Sequence, residues 1–305
     1  MKKFVVQSGL FVLILLMICT LVEFIINKNT EKKQYLFQAD WHCLKNRNYK
    51  ILVIGNSRVW VQVDVKKICK SLNTKAFALA QDGRDISFLW AKFKIYIKDN
   101  DKPTHIFLEY DPFFLSGADT AFFDKDVYLS YLFLDRLGIN RLYKNQAGYH
   151  FYDQYIPLIR YCGYSDIFIQ HLTGRAKLDS SFKYGSSLKN LAWGAKPWKA
   201  VWNNPNRTDS SLTKISYIDS FVNYCKSNQI SLHLFYPPQS WTSYNAVGIK
   251  TVSQLNNFLE NKHLEFYDFN SRFYNDSTLF YNHLHLNSKG SSIFTDAFLK
   301  HYFPK

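Results

Sequence analysis

Two residues of this chain are well suited to covalent chemistry: a serine that closes a buried strand and a histidine that precedes the last helical stretch. Ser57 ends the run Ile51-Leu52-Val53-Ile54-Gly55-Asn56-Ser57, and His285 lies in Tyr281-Asn282-His283-Leu284-His285-Leu286-Asn287-Ser288-Lys289-Gly290. A serine hydroxyl is a poor nucleophile until a neighbouring base takes its proton, and imidazole does this near neutral pH. The four apolar residues before Gly55 read as a strand buried on both faces, which parallel strands require. Ligands of open α/β sheets bind beyond the carboxyl ends of such strands, where Ser57 falls. The same position also suits a serine that merely caps the following helix.

The elements that must position this pair follow from the hydrophobic pattern. Strands are expected at 51–54, 76–80, 105–110, 230–235 and 264–269, separated by helical spacing at 64–72, 86–97, 212–225 and 252–259, with a last helix over 288–303. Strands alternating with helices form βαβ units in a mostly parallel sheet. Between 113 and 206 this rhythm breaks into an aromatic-rich insertion, with helices expected at 127–137 and 155–172. Such an insertion commonly shapes a pocket. Its Trp193, Trp198 and Trp202, spaced by Gly194, Pro197 and Asn203-Asn204, would either stack on sugar rings or pack beneath a lid.

Residues 4–26 are dominated by Leu, Ile, Val and Phe and are long enough to cross a hydrocarbon core of about 30 Å. Lacking a small-x-small cleavage site, the segment reads as an uncleaved anchor (1–27), followed by a polar stalk (28–48) and one domain (49–305). Lys2 and Lys3 before it and Lys28, Lys32 and Lys33 after it leave its orientation open. The 305 residues are 47% hydrophobic, enough for a full core, and their 38 lysines and arginines against 24 acids leave a net charge of +14. That diffuse excess favours anionic surfaces. No nucleic-acid motif accompanies it. Cys19, Cys43, Cys69, Cys162 and Cys225 lack metal-site spacing, so free thiols and no metal are expected. Without GxGxxG or GxxxxGK[ST], a nucleotide- or flavin-binding reading is set aside, and no cofactor is expected.

Gly55-Asn56-Ser57, Gly83 after the second strand and His285-Leu286-Asn287-Ser288-Lys289-Gly290 together resemble the SGNH (GDSL-type) hydrolase superfamily from about residue 50 onward. The resemblance implies a three-layer α/β/α sandwich around a five-stranded, flavodoxin-like sheet, with Ser57 as nucleophile and His285 as base. Backbone amides of Ser57 and Gly83 would then hold the oxyanion, since glycine lets substrate approach the main chain. Two positions depart from the family. Its Asp-x-x-His acid is Asn282 here, with Asp276 and Asp268 the nearest carboxylates in sequence. Its Gly-x-Asn-Asp block is replaced by Glu109-Tyr110-Asp111-Pro112. Asp111 is a pocket candidate by position. Arg58 suits either an anionic substrate or a structural ion pair, and His283, two residues from His285, would face away.

The architecture resembles anchored SGNH-like proteins that work beside membrane-bound O-acyltransferases. That likeness implies an esterase or O-acyltransferase acting on acyl, foremost acetyl, esters of a bacterial cell-surface glycan, held outside the cytoplasmic membrane. The competing expectation is a catalytically impaired glycan-binding or scaffold subunit of such an assembly, for which Asn282 argues.

Overall fold

The structure, a computed structural model, describes residues 1–32, 44–110, 138, 141, 149–173, 184–194, 212–245, 259 and 264–304. Its main elements in chain order are α1 (Lys2–Lys32), β1 (Ile51–Gly55), α2 (Ser57–Gln62), α3 (Val65–Leu72), β2 (Ala76–Ala80), α4 (Ile86–Lys98), β3 (His105–Glu109), α5 (Ser165–Thr173), α6 (Leu212–Ser227), β4 (Ser231–Tyr236), β5 (Phe266–Asp268) and α7 (Ser288–Tyr302). They fall into two compact units: Met1–His42 with Ala121–Asp179, and Cys43–Thr120 with Ser180–Lys305.

The second unit is an α/β sandwich. Its five strands are ordered β2-β1-β3-β4-β5 and every pairing is parallel. The expectation of a mostly parallel, flavodoxin-like sheet therefore becomes an entirely parallel one. Successive strand residues point to opposite faces. Ile51, Val53, Ala78 and Phe107 pack in one cluster with residues of α2, α3 and α7, including Val59, Ile68, Phe294 and Phe298. Leu52, Ile54, Phe77 and Leu108 are buried as well but lie on the opposite face. That face is covered by α4 and α6, whose aromatic rings interlock: Trp90 and Phe93 sit 4.8 and 5.3 Å from Phe221. Burial on both faces is why these strands read as apolar runs without alternation.

Several boundaries differ from the expected ones. β5 is three residues long because Phe269 turns to φ −84, ψ −4 and opens a 3-10 turn at Asn270–Arg272. β4 starts and ends one residue later than the apolar pattern indicated. The helix expected at 252–259 lies outside the described residues except for Leu259, and the one at 127–137 lies wholly outside them.

In the first unit, Lys2–Ile26 of α1 is long and apolar enough to cross a membrane, and by length and composition fits an anchor or a signal sequence. The helix continues to Lys32, beyond the expected limit of the anchor. The helix expected over 155–172 is instead broken into a single turn at Tyr152–Tyr155, a 3-10 turn at Ile159–Tyr161 and α5. Pro157 supplies no amide, and positive φ at Leu158 and Gly163 turns the chain at both joints.

Candidate functional site

The site is built where β1 leaves the sheet. Glu109, the last residue of β3, lies beside Gly55 because β1 and β3 pair through Ile54 and Leu108. A methyl group on Gly55 would overlap the Glu109 carboxylate and the Val59 side chain, so only glycine lets the strand end there. The buried carboxylate is satisfied at both oxygens. One accepts the Asn56 amide at 2.7 Å and the other accepts Arg58 Nε at 3.0 Å. Arg58 also lies 4.7 Å over the Tyr236 ring and 3.5 Å from Gln239 Oε1. Gln239 in turn donates to Tyr236 Oη at 3.0 Å. Of the two readings open for Arg58, the structure gives the buried ion pair. Ser57 is not the helix cap; Asn56 is, its side chain accepting the Arg58 amide at 3.0 Å. Ser57 is the first residue of α2, a position whose amide has no acceptor within the helix.

The histidine arrives through contacts between α2 and the stretch around α7. Gln62 Nε2 donates to Leu284 O at 2.7 Å, and Ser291 Oγ donates to Val61 O at 3.0 Å. Asn287 caps α7 by accepting the Gly290 amide at 3.0 Å, and its amino group donates to Thr278 O at 2.8 Å. Gly290 sits so close to Leu279 O that a side chain would collide with it. These contacts set His285 Nε2 2.9 Å from Ser57 Oγ, across 228 residues of sequence.

Asn282 completes the row. Its Oδ1 accepts the amides of Leu284 and His285, each at 2.9 Å, and lies 3.0 Å from His285 Nδ1. Only the carbonyl oxygen of an amide can accept from the two backbone N–H groups, so the ring must present Nδ1–H to it. The proton on Nδ1 leaves Nε2 as a lone-pair acceptor facing the serine hydroxyl. Asn282 therefore holds the tautomer that a general base needs, though it brings no negative charge. Burial, and secondarily the positive charge of Arg58, lowers the His285 pKa to about 4, so the ring is neutral at pH 7.

Neither carboxylate proposed from sequence as a substitute acid is available to His285. Asp268 accepts Tyr244 Oη at 2.6 Å and the amide and side chain of Asn270 at 2.9 and 2.6 Å. Exposed Asp276 caps a 3-10 turn through the Thr278 amide and hydroxyl at 3.0 and 2.6 Å. Proximity in sequence was misleading because each acid closes its own local turn. Asp111 lies outside the described residues, as do Trp198 and Trp202.

Gly83 stands in the turn after β2, at φ +63 with open space where a side chain would project. β2 is paired to β1 with Gly55 opposite Ala80, so the turns after both strands leave the same end of the sheet. The Asp82 charge reaches Tyr281, whose phenol, mainly through burial, is pushed up to about 12. Tyr281 stacks on His285 at 5.5 Å and 10°. His283 turns away, its Nδ1 3.2 Å from Ser240 Oγ and its ring edge-on to Trp193 at 5.1 Å. Trp193 and Trp241 are 40% and 44% exposed, on segments hydrogen-bonded to this loop through Gly194 N to Tyr281 O and Ser240 N to His283 O.

Sequence reasoning missed Glu109 as the clamp on the serine turn. Its signal was there: an acid ending an otherwise apolar buried strand must be paired. Among the described residues, no cluster of His, Cys, Asp and Glu is arranged to hold a metal ion, and Cys19, Cys69, Cys162 and Cys225 are free thiols.

No protein-family model and no curated protein matches this chain. Solved structures that match include a Bacteroides fragilis protein provisionally assigned as an acylhydrolase. It shares 11% identity over 84% of this chain and 88% of its own, with a TM-score of 0.40. A likeness of that extent carries no information on chemistry.

Proposed function

We propose that this chain is a membrane-anchored serine esterase or O-acyltransferase of the SGNH kind, acting on acyl, foremost acetyl, esters of a bacterial cell-surface polysaccharide. The observation that carries this reading is the Ser57–His285–Asn282 row, with a 2.9 Å contact between hydroxyl and imidazole. Ser57 Oγ attacks the acyl carbonyl as His285 Nε2 takes its proton. The amides of Ser57 and Gly83 hold the resulting oxyanion. Collapse breaks the ester bond, His285 returns the proton to the leaving alcohol, and water or a sugar hydroxyl then resolves the acyl-enzyme by the reverse steps. The exposed indoles of Trp193 and Trp241 beside the His285 loop support a glycan, whose sugar faces stack on aromatic rings. The domain would lie outside the cytoplasmic membrane, held by α1 and working with a membrane-bound O-acyltransferase.

A second reading, a non-catalytic glycan-binding or scaffold subunit, is favoured by Asn282, which cannot stabilise an imidazolium by charge. Hydrolysis of p-nitrophenyl acetate by the full chain in detergent separates the two. The catalytic reading expects Ser57→Ala to lower the rate by about a thousandfold or more. It also expects Asn282→Asp to raise it, because a carboxylate on Nδ1 strengthens the base. Equal rates for the wild type and Ser57→Ala would support the scaffold instead.

A further inference from the structure

The first unit carries a buried ion pair and a set of exposed apolar side chains that the proposed chemistry does not use. Arg160 Nη2 meets Glu23 Oε1 at 2.7 Å, and both residues are buried. Glu23 lies three residues before Ile26, where the apolar stretch of α1 ends, or about 4.5 Å of helix rise. A second tie, Asn29 Nδ2 to Leu172 O at 2.6 Å, fastens the end of α5 just beyond that point. The 3-10 turn at Ile159–Tyr161 and α5 are therefore held against the last turns of the apolar helix. Lys28 marks the same level: its ammonium lies 5.1 Å from the centre of the Phe24 ring, an arrangement suited to a charge that reaches out of an apolar layer.

Around this level the unit leaves large apolar side chains uncovered. Phe151 and Tyr155 are 72% and 69% exposed and, four residues apart on a helical turn, share a face. Ile156 and Ile169 are exposed as well. Aromatic and aliphatic side chains next to the end of a membrane span match the boundary between headgroups and acyl chains.

We propose that residues 151–169 form an interfacial platform that binds the bilayer surface, with Phe151, Tyr155, Ile156 and Ile169 entering the headgroup region and the Arg160–Glu23 pair fixing the platform to α1. The inference rests on α1 being a membrane span, and it adds a second lipid contact to that reading. It also makes α1 a permanent part of the folded unit, since removing it would leave Arg160 buried without its carboxylate.

The test uses the full chain in vesicles of phosphatidylcholine and phosphatidylglycerol, with Tyr155→Trp and, separately, Ile169→Trp as reporters at exposed positions. The added tryptophan, read as the difference from the parent protein, is expected to emit at shorter wavelength and to lose intensity in brominated lipid. Protein that floats with vesicles while both added tryptophans emit as in water, unquenched, would overturn the platform and leave the span standing. Protein that does not float with vesicles would overturn the span, and the platform with it.

Discussion

Among the described residues, each unit shows a buried arginine–carboxylate pair, Arg58–Glu109 in one and Arg160–Glu23 in the other, and the two are built differently. In the sheet unit, Glu109 engages both oxygens, on Asn56 N and Arg58 Nε, and Arg58 finds further partners in Gln239 and Tyr236. In the unit containing α1, Glu23 Oε2 and Arg160 Nε have no hydrogen-bond partner among the described residues. A buried pair offsets the cost of desolvating two charges only when the remaining donors and acceptors are also satisfied. The first pair is thus part of a network that shapes backbone, while the second acts as a single tie between two segments.

The largest effect that can break this comparison is loss of one member of the networked pair. Glu109→Ala leaves Arg58 charged and buried and removes the acceptor of the Asn56 amide, so urea denaturation should show about 3–5 kcal/mol of lost stability. On the proposed function, esterase activity should fall with it as the Ser57 turn loosens. A change within about 0.5 kcal/mol, the range of an ordinary surface substitution, would mean the network is incidental.

An intermediate effect comes from replacing both partners at once with apolar residues. Arg58→Met with Glu109→Leu still strands the Asn56 N–H and should cost about 1–3 kcal/mol. Arg160→Met with Glu23→Leu strands no backbone group shown to depend on the pair and should be neutral or stabilising, by as much as about 1–4 kcal/mol. Unfolding of both double variants in the same detergent would reveal the contrast. Equal losses would erase it.

The smallest effect is on pH dependence. Because burial and then Arg58 lower the His285 pKa to about 4, the ring stays deprotonated as pH falls from 7, and on the proposed function kcat/KM should decline only near that value. In Arg58→Met, this acid limb should move up towards the usual imidazole value without reaching it, since burial is the larger cause and remains. A wild-type limb near the ordinary imidazole pKa of about 6.5 would show that the ring is better solvated than its surroundings suggest.

The sheet was legible because burial on both faces writes itself into sequence as unbroken apolar runs, as at 51–54 and 76–80. Helix α2 was not, since Val59, Val61 and Val63 alternate like a strand and six residues give too little periodicity to say otherwise. Residues 155–172 carried a helical pattern throughout, yet positive φ at Leu158 and Gly163 divides them. At the candidate site, the serine and histidine stood out by type and by their placement at element ends. The function of Asn282 did not, because it depends on which way an amide oxygen faces, and that is set by two backbone N–H groups three-dimensionally close to it. Asp268 and Asp276 misled for the converse reason: closeness along the chain says nothing of what a carboxylate already accepts.

The 228 residues that separate Ser57 from His285 bear on how the protein is made. On the proposed function, a nascent chain would carry its nucleophile long before its base, and the Ser57–His285 contact cannot form until residues 281–302 have emerged. If α1 directs the chain to the membrane as it is made, the proposed reactive centre would assemble only after the 228 residues between its two halves have followed α1 there.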